Sequence, residues 1–218
     1  MASVKGIPRP IEFALAVLGL TLVAPLVAIC GILVKLGSSG PMFFRQVRVG
    51  RYGKQFEIIK LRTMTVSQIK GPLVTAAGDA RVTGIGRLLR KFKIDELPEF
   101  WNVVKGEMSF VGPRPEVPEY VDLSNDTWRV ILEHRPGITD PVTLRLRNEE
   151  HLLAKVADKE RYYREVIQPF KLKGYSNFVR SKTWKTDLVI IARTAKAVAF
   201  PAIVKAPSEE ELSPSFAE

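Results

Sequence analysis

The feature that most constrains this chain is a run of 22 residues without a charged side chain, from Phe13 to Val34. An α-helix of that length covers roughly 33 Å, and the hydrocarbon core of a bilayer is about 30 Å thick. The run is longer than the ~7–15-residue hydrophobic region of a secretory signal peptide. We therefore expect residues 1–40 to form a membrane anchor rather than a cleaved leader.

Two geometries fit this anchor. Pro25, which follows Ala24, removes a backbone donor within the run and predicts a kink or a break. Basic residues flank both ends of the run, and such flanks favour the cytoplasm. A re-entrant helix that bends near Pro25 and returns to the same face satisfies both flanks, whereas membrane helices also tolerate proline in one kinked span. Either geometry places the globular part of the chain in the cytoplasm.

The charge of the chain is unevenly distributed. Of the net +10, residues 1–40 contribute +2 and residues 206–218 contribute −4, which leaves +12 for residues 41–205. A domain this basic is expected to meet anionic partners, such as lipid headgroups, nucleic acid or a phosphorylated substrate. The single cysteine, Cys30, excludes an intramolecular disulfide framework. The acidic, aperiodic residues 206–218 are typical of a disordered tail.

The remaining pattern predicts an α+β domain that is predominantly helical. Met42–Val49 and Phe56–Leu61 are β-prone runs separated by a glycine-containing loop, which predicts a β-hairpin. Residues 81–93 have the spacing of a basic amphipathic helix, suited either to an anionic membrane surface or to the protein core. Further helices are predicted at about 94–105, 118–133, 149–168 and 183–199. The last of these is a second candidate for the membrane surface, with core packing as its alternative.

Two faces are predicted for the helix at 94–105. One carries polar side chains at helical spacing, namely Asp95, Glu99 and Asn102. The other face is apolar and is predicted to be buried; it consists of Ile94, Leu97, Trp101 and Val104.

Asp95 and Glu96 are adjacent carboxylates in a strongly basic setting. Pro98 favours the first turn of a helix, which would place both carboxylates at the positive end of the helix dipole. The basic side chains around them in the sequence are Arg90, Lys91, Lys93 and Arg114. Carboxylates that hold Mg²⁺ beside guanidinium groups that neutralise phosphate form a plausible site for a divalent cation and a diphosphate. The alternative to a metal and diphosphate site is that both carboxylates only cap the helix and pair with neighbouring cations.

Several ordered motifs resemble one known family. They are Lys60-Leu61-Arg62-Thr63-Met64, Asp95-Glu96-Leu97-Pro98-Glu99, the segment 102–116 that ends in Gly112-Pro113-Arg114-Pro115-Glu116, and Arg135-Pro136-Gly137-Ile138-Thr139. Together with the proline-containing hydrophobic segment, they closely resemble the bacterial sugar transferases, also called monotopic phosphoglycosyl transferases. The resemblance runs from about residue 8 to residue 200. It implies the minimal form of the family, because larger members carry an additional N-terminal membrane and soluble region.

The resemblance implies an enzyme on the cytoplasmic face of the bacterial inner membrane. Such an enzyme moves a sugar 1-phosphate from a UDP-sugar to polyprenyl (undecaprenyl) phosphate and releases UMP, as the first membrane step of glycan assembly. Asp95 would be the nucleophile, giving an aspartyl-phosphosugar intermediate, and Mg²⁺ would be held by Asp95 and Glu96. Arg114 would bind phosphate, and Lys60, Arg62, Arg90 and Glu99 would complete the substrate site. The implied partners are the two substrates and the bilayer but no nucleic acid, and a second copy of the chain is a candidate partner.

Two segments depart from the family pattern. Ala24-Pro25 stands where many members have Ser-Pro, and Thr139-Asp140-Pro141 followed by residues 145–149 replaces the commoner sequence after Pro-Gly-Ile-Thr. The second departure lies in a region expected to meet the nucleotide-sugar. The rival hypothesis from a different class is a non-catalytic, membrane-tethered protein that binds acidic lipid or nucleic acid through its basic middle.

Overall fold

The computed structural model describes residues 6–66, 74–200 and 204–212. Within these ranges the chain is mainly helical and contains two small two-stranded sheets. The helices are α1 (Arg9–Gly37), α2 (Gly84–Lys91), α3 (Glu99–Lys105), α4 (Asp126–Leu132), α5 (Pro141–Arg145), α6 (Glu149–Ala154), α7 (Lys159–Tyr162), α8 (Gln168–Ser181), α9 (Trp184–Ala199) and α10 (Glu209–Leu212). The strands are β1 (Phe43–Val49), β2 (Gln55–Leu61), β3 (Ser109–Val111) and β4 (Gly137–Thr139).

Helix α1 contains the whole uncharged run. It is 29 residues long and is apolar enough over its length to cross a membrane. Helical structure continues through Pro25, so the proline does not divide the segment into two separate helices. Most of the helix surface is exposed and apolar, and Leu22 in its middle is 69% exposed. The predicted apolar anchor is therefore present as one helix.

Both ends of α1 pack on the globular part of the chain. Near the N-terminal end, Glu12 is buried and accepts hydrogen bonds from the Phe110 amide at 3.2 Å and the Ser109 hydroxyl at 3.3 Å. Near the C-terminal end, Val34 is 1% exposed and lies in one cluster with Leu61 of β2 and Leu89 of α2. The helix therefore packs against one body at both of its ends.

The predicted hairpin is confirmed. β1 pairs antiparallel with β2, from Phe43 opposite Leu61 to Val49 opposite Gln55. The connecting loop turns through Tyr52 and Gly53, which both have positive φ. β2 presents its buried side chains, Phe56, Ile58 and Leu61, to α1 and the neighbouring helices.

The second sheet was not predicted. β3 and β4 are three residues each and pair in parallel, with Ser109 opposite Gly137 and Val111 opposite Thr139. Three-residue strands are too short to leave an alternating pattern in the sequence. This pairing brings the end of the 102–116 motif beside the Arg-Pro-Gly-Ile-Thr motif.

The helix predictions have mixed outcomes. The helix at 183–199 is confirmed as α9, and the amphipathic helix is confirmed in its central part as α2. Only Asp126–Leu132 of the predicted 118–133 is an α-helix, and the predicted 149–168 is divided among α6, α7 and a π-turn at Tyr163–Ile167. Helix α8, at Gln168–Ser181, was not predicted. It contributes Tyr175 to the largest core cluster, together with Trp128, Ile131 and Ile167.

The end of the chain is described as far as Leu212. Residues Glu209–Leu212 form one helical turn, and Leu212 is buried in the largest core cluster. The Glu211 carboxylate lies 2.6 Å from the Arg145 guanidinium. This part of the acidic segment is thus structured, and residues 213–218 lie outside the described ranges.

Candidate active site

The segment 94–105 is not one helix, which corrects the sequence prediction. Ile94–Glu96 form a 3₁₀ turn after Lys93, which adopts a left-handed conformation with φ 57°. Pro98 is the N-cap residue of α3. Asp95 and Glu96 therefore precede the helix instead of occupying its first turn. From this turn the Glu96 carboxylate reaches Lys60 of β2.

The predicted apolar face of this segment is confirmed only in part. Ile94 and Val104 are half-buried against core clusters, but Trp101 is 47% exposed, whereas the polar residues Asp95, Glu99 and Asn102 are buried. Asn102 explains the inversion, because its amide donates to the Glu57 carbonyl at 2.7 Å and its oxygen accepts from the Ile59 amide at 3.2 Å. Hydrogen bonds to β2 thus turn the polar face inward, and the aromatic face is left outside.

Glu96 is the centre of an ion-pair cluster. Its Oε1 lies 2.5 Å from the Arg114 guanidinium and 2.9 Å from Lys60 Nζ, with Lys93 Nζ at 3.9 Å. Burial alone would raise the pKa of Glu96, but Arg114, Lys60 and Lys93 together hold it well below its ordinary value. Glu96 is therefore an anion that fixes the position of two cations.

Glu99 shares one of these cations. Its Oε1 is 3.2 Å from Lys60 Nζ, and the side chain is wholly buried. Burial, followed by the nearby charge of Glu96, raises the pKa of Glu99, although Lys60 opposes the shift. Lys60 thus bridges two carboxylates that belong to successive turns.

Asp95 differs from Glu96 in having no ion-pair contact among the described residues. It is 7% exposed, and its Oδ1, like both carboxylate oxygens of Glu99, accepts no hydrogen bond within the described part of the chain. Burial, and then the charge of Glu96, raise its pKa above the ordinary value, whereas Lys60, Lys93 and Arg90 act in the opposite direction. A buried carboxylate oxygen without a donor is costly for the fold and is available to a ligand.

Arg114 lies in a loop that the sheet β3–β4 holds in place. The Gly137 amide donates to the Pro113 carbonyl at 3.0 Å, and Arg48 of β1 donates to the Pro115 carbonyl at 3.1 Å. The guanidinium is thereby presented to Glu96. No sequence signal distinguished Arg48, because its role depends on the tertiary contact between the hairpin and this loop.

The two other predicted arginines lie in different surroundings. Arg90 donates to the Thr63 hydroxyl at 3.0 Å and to Glu150 at 2.6 Å, and it is close enough to influence Asp95. Arg62 is buried and donates four hydrogen bonds to the turn that follows α1, at Ser38, Ser39 and Pro41. The structure therefore groups Lys60, Arg90 and Arg114 with the carboxylates, whereas Arg62 stabilises the end of α1. Ala24 and Pro25 lie in the middle of α1, away from this cluster.

A metal ion at this site would have few protein ligands. In residues 6–66, 74–200 and 204–212, no group of three or more His, Cys, Asp or Glu side chains could hold one. Mg²⁺ is commonly held by one or two carboxylates together with substrate phosphates. Asp95, with an oxygen that lacks a donor, and the adjacent Glu96 satisfy that minimum.

Comparison with known proteins matches this chain to one family. The sequence pattern of the family described as Bacterial sugar transferase matches residues 4–201. An Aeromonas hydrophila protein named UDP-N-acetylgalactosamine-undecaprenyl-phosphate N-acetylgalactosaminephosphotransferase is 44% identical over 53% of this chain and 28% of its own length. A Caulobacter vibrioides protein named UDP-glucose:undecaprenyl-phosphate glucose-1-phosphate transferase is 43% identical over 60% of this chain and 51% of its own length.

One relative matches over most of both chains. The exopolysaccharide production protein ExoY of Sinorhizobium fredii is 32% identical over 87% of this chain and 84% of its own length. The two transferases above, by contrast, are matched over about half of their length or less.

Proposed function

This chain belongs to the bacterial sugar transferase family, and from that premise we propose that it transfers a sugar 1-phosphate from a UDP-sugar to polyprenyl phosphate and releases UMP. The names of two relatives describe transfer of this kind to undecaprenyl phosphate, one with N-acetylgalactosamine and one with glucose. Because the match covers only part of those proteins, the activity of this chain is inferred from its own site.

The observation that carries the proposal is the contrast between Asp95 and Glu96. Glu96 is ion-paired with Arg114 and Lys60, whereas Asp95 Oδ1 accepts no hydrogen bond from the described residues. A carboxylate serves as a nucleophile only when an oxygen lone pair is free, and Asp95 meets this condition. Lys60, Lys93 and Arg90 favour its ionised form. Glu96 in turn keeps the cations in place before the substrate arrives.

The reaction then has two balanced steps. An oxygen of Asp95 attacks the β-phosphorus of the UDP-sugar, and the bond between that phosphorus and the bridging oxygen breaks. UMP leaves with the bonding electron pair, and a sugar phosphate remains on Asp95 as an acyl phosphate. A phosphate oxygen of the acceptor then attacks the same phosphorus, and Asp95 leaves as a carboxylate. Direct reaction between two anions is thereby replaced by two steps at one site.

The surrounding cations stabilise the charge that develops on phosphate. Arg114 and Lys60 lie within hydrogen-bond distance of Glu96, the residue next to Asp95 in the sequence, and they would stabilise the phosphate that reacts with Asp95. Arg90, whose charge favours the ionised form of Asp95, is held by a hydrogen bond to the Thr63 hydroxyl. Asp95 and Glu96 would hold Mg²⁺, which when bound offsets negative charge on the diphosphate.

The contacts of α1 support an anchor whose two ends lie on the same face of the membrane, as a re-entrant geometry requires. Glu12 and Val34 are 22 residues apart, or about 33 Å along a helix, and both contact the same globular body. If α1 spanned the bilayer, that basic body would have to lie within the hydrocarbon layer, where charged groups are strongly disfavoured. We therefore propose that both ends of α1 lie on the cytoplasmic side of the bacterial inner membrane. The exposed apolar surface around Leu22 would enter the lipid and keep the site near the acceptor's phosphate.

The test of the activity uses the purified full chain with Mg²⁺, polyprenyl phosphate and a panel of UDP-sugars. UMP should form with at least one sugar, and Asp95→Asn should abolish it while Asp126→Asn, at an exposed ion pair, should not. Without acceptor, a donor labelled in the β-phosphate should leave label on the wild-type protein. No UMP from any sugar would contradict the proposal, and UMP without protein-bound label would favour direct displacement.

A further inference from the structure

The loop that carries Arg114 is held by its backbone on both sides. The Gly137 amide donates to the Pro113 carbonyl at 3.0 Å, and the Val49 amide donates to the Glu116 carbonyl at 2.9 Å. These bonds fix where the chain enters and leaves the loop. The side chain of Glu116 provides a further anchor for the loop.

The Glu116 side chain belongs to a buried ionic cluster. Its Oε1 is 3.2 Å from Lys171 Nζ of α8, and each of the two residues is only 6% exposed. Lys171 also donates to the Tyr163 hydroxyl at 3.0 Å, and Arg48 lies 3.9 Å from Glu116 Oε2. Tyr163 begins a π-turn, a rare local widening of a helix that is frequent at functional sites.

Lys171 binds a second carboxylate from a different segment. Its Nζ is 3.0 Å from Glu149 Oε2, at the start of α6. One buried ammonium group therefore connects α8, the Arg114 loop and the segment that departs from the family pattern. The mechanism proposed above uses none of these three side chains.

The charges in this cluster depend on one another. Burial lowers the pKa of Lys171, but Glu116 and Glu149 outweigh it and hold the pKa above its ordinary value. Burial raises the pKa of Glu116, and Lys171 and Arg48 bring it below the ordinary value. The lysine is thus charged, and it is held by both carboxylates.

We propose that Lys171 is a positioning residue for the transfer reaction: through Glu116 it holds the loop that presents Arg114 to the phosphate. The inference depends on the proposed function for its kinetic part. Its structural part, a loop held by Lys171, can be tested without substrate.

The experiment compares two variants of the full-length protein that change the same charge. Glu116→Gln and Glu149→Gln each remove one carboxylate from Lys171 and leave the other, so both are expected to fold. Only Glu116 belongs to the Arg114 loop. In Glu116→Gln, kcat/KM for the UDP-sugar should fall about 10- to 100-fold with a raised KM, since small displacements of a positioned group have effects of this size. The loss in Glu149→Gln should be several-fold smaller.

A second measurement follows amide hydrogen exchange of residues 112–117 in the substrate-free protein. Exchange of these amides should be about tenfold faster in Glu116→Gln and in Lys171→Met than in the wild type. Exchange in α9 should be unchanged, which serves as the control. The double variant that combines Glu116→Gln with Lys171→Met should lose no more activity than either single variant, because both substitutions act through one contact. If Lys171→Met does not fold, the comparison of Glu116→Gln with Glu149→Gln decides.

Equal effects of Glu116→Gln and Glu149→Gln, additive losses in the double variant, or unchanged exchange of the loop would each overturn the inference. A wild-type protein that releases no UMP would defeat the proposed function instead, and the exchange measurement would still decide whether Lys171 holds the loop.

Discussion

Glu96 and Arg114 are 18 residues apart in the sequence, and their side chains lie 2.5 Å apart. The pair has two effects. It holds a guanidinium at the proposed phosphate-binding position before any substrate is present, and it leaves Asp95 as the neighbouring carboxylate with an oxygen that accepts no hydrogen bond from the described residues. Adjacent residues of the same chemical type thus have different tasks because their partners differ.

Asp95→Asn should stabilise the protein while it removes activity. Burial raises the pKa of Asp95, so its ionised form destabilises the folded state at neutral pH. The amide keeps the size of the side chain and removes this cost, and the free energy of unfolding should rise by roughly 1 kcal/mol. The gain should disappear as pH falls below 3.8, where the unfolded carboxyl is also protonated. Thermal unfolding of both proteins in detergent, from pH 7 to below pH 3.8, measures this difference. An Asp95→Asn variant less stable than the wild type at pH 7 would contradict the prediction.

Glu96→Gln should shift the acid limb of the pH–activity profile, that is, the pH range in which activity falls as the solution becomes more acidic. Turnover requires ionised Asp95, so kcat/KM should fall as pH decreases through the raised pKa of that carboxyl. Removing the Glu96 charge lowers the pKa of Asp95, and Lys60 and Arg114 become free to favour the ionised form further. The acid limb should therefore move to lower pH, although the rate falls at every pH. An unmoved or higher limb, measured from about pH 4 to pH 8, would show that another group governs it.

Arg62→Ala should affect stability rather than substrate binding. The guanidinium donates four hydrogen bonds to the turn after α1, and their loss should lower the free energy of unfolding by about 3 kcal/mol. Arg45→Ala, at an exposed ion pair, is the control and should change it little. Arg114→Ala should instead raise the KM for the UDP-sugar. Melting temperature and KM are measured for each variant to separate the two roles. An Arg62→Ala variant that is as stable as the wild type but has a raised KM would refute the structural role of Arg62.

Gly112→Ala should destabilise the region that carries Arg114. A Cβ atom there would overlap the Arg135 carbonyl, because β3 and β4 bring the two backbones together at this point. We expect a loss of about 2 kcal/mol in the free energy of unfolding. Gly84→Ala, where a Cβ would meet only the end of Arg87 at 4.0 Å, should be neutral or stabilising. Chemical unfolding of both variants provides the comparison, and equal stabilities would disprove the steric argument.

Both flanks of α1 should react from the same side of the membrane. Single cysteines at Pro8 and Ser39, which are both exposed, are introduced after the buried Cys30 has been replaced with alanine. An impermeant maleimide should label both in inverted membrane vesicles and neither in intact cells. Labelling from opposite sides would mean that α1 spans the membrane.

The parts of the fold that sequence reasoning predicted are those with local signals. The hairpin follows from two β-prone runs with a glycine-containing loop, and α1 and α9 follow from long periodic or uncharged segments. The pairing of β3 with β4 joins two three-residue strands from distant motifs, so no local pattern marks it. Asp95 and Glu96, by contrast, could be singled out as candidates from their adjacency and their basic neighbours, with helix capping as the alternative, and the role of Asp95 as nucleophile was implied by the family resemblance.

The orientation of the site could not be predicted from periodicity, because the rule that buried faces are apolar fails at Glu99 and Asn102. These two polar side chains are buried because Lys60 and the backbone of β2 provide partners for them. In the same way, Arg62 and Arg114 are equivalent in the sequence, and only the tertiary contacts show that one holds a turn and the other faces a carboxylate.

The contact between Glu12 and Ser109 also bears on how the protein is made. When Glu12 is added to the nascent chain, the hydroxyl that will donate to it is still 97 residues from being synthesised. Until then the partners at hand for this carboxylate are water and the nearby Arg9, whose guanidinium lies 3.6 Å from it in the folded protein. Docking of α1 is therefore a late event in biogenesis, coupled to the appearance of β3, and nascent chains that stop before Ser109 should remain unable to complete it.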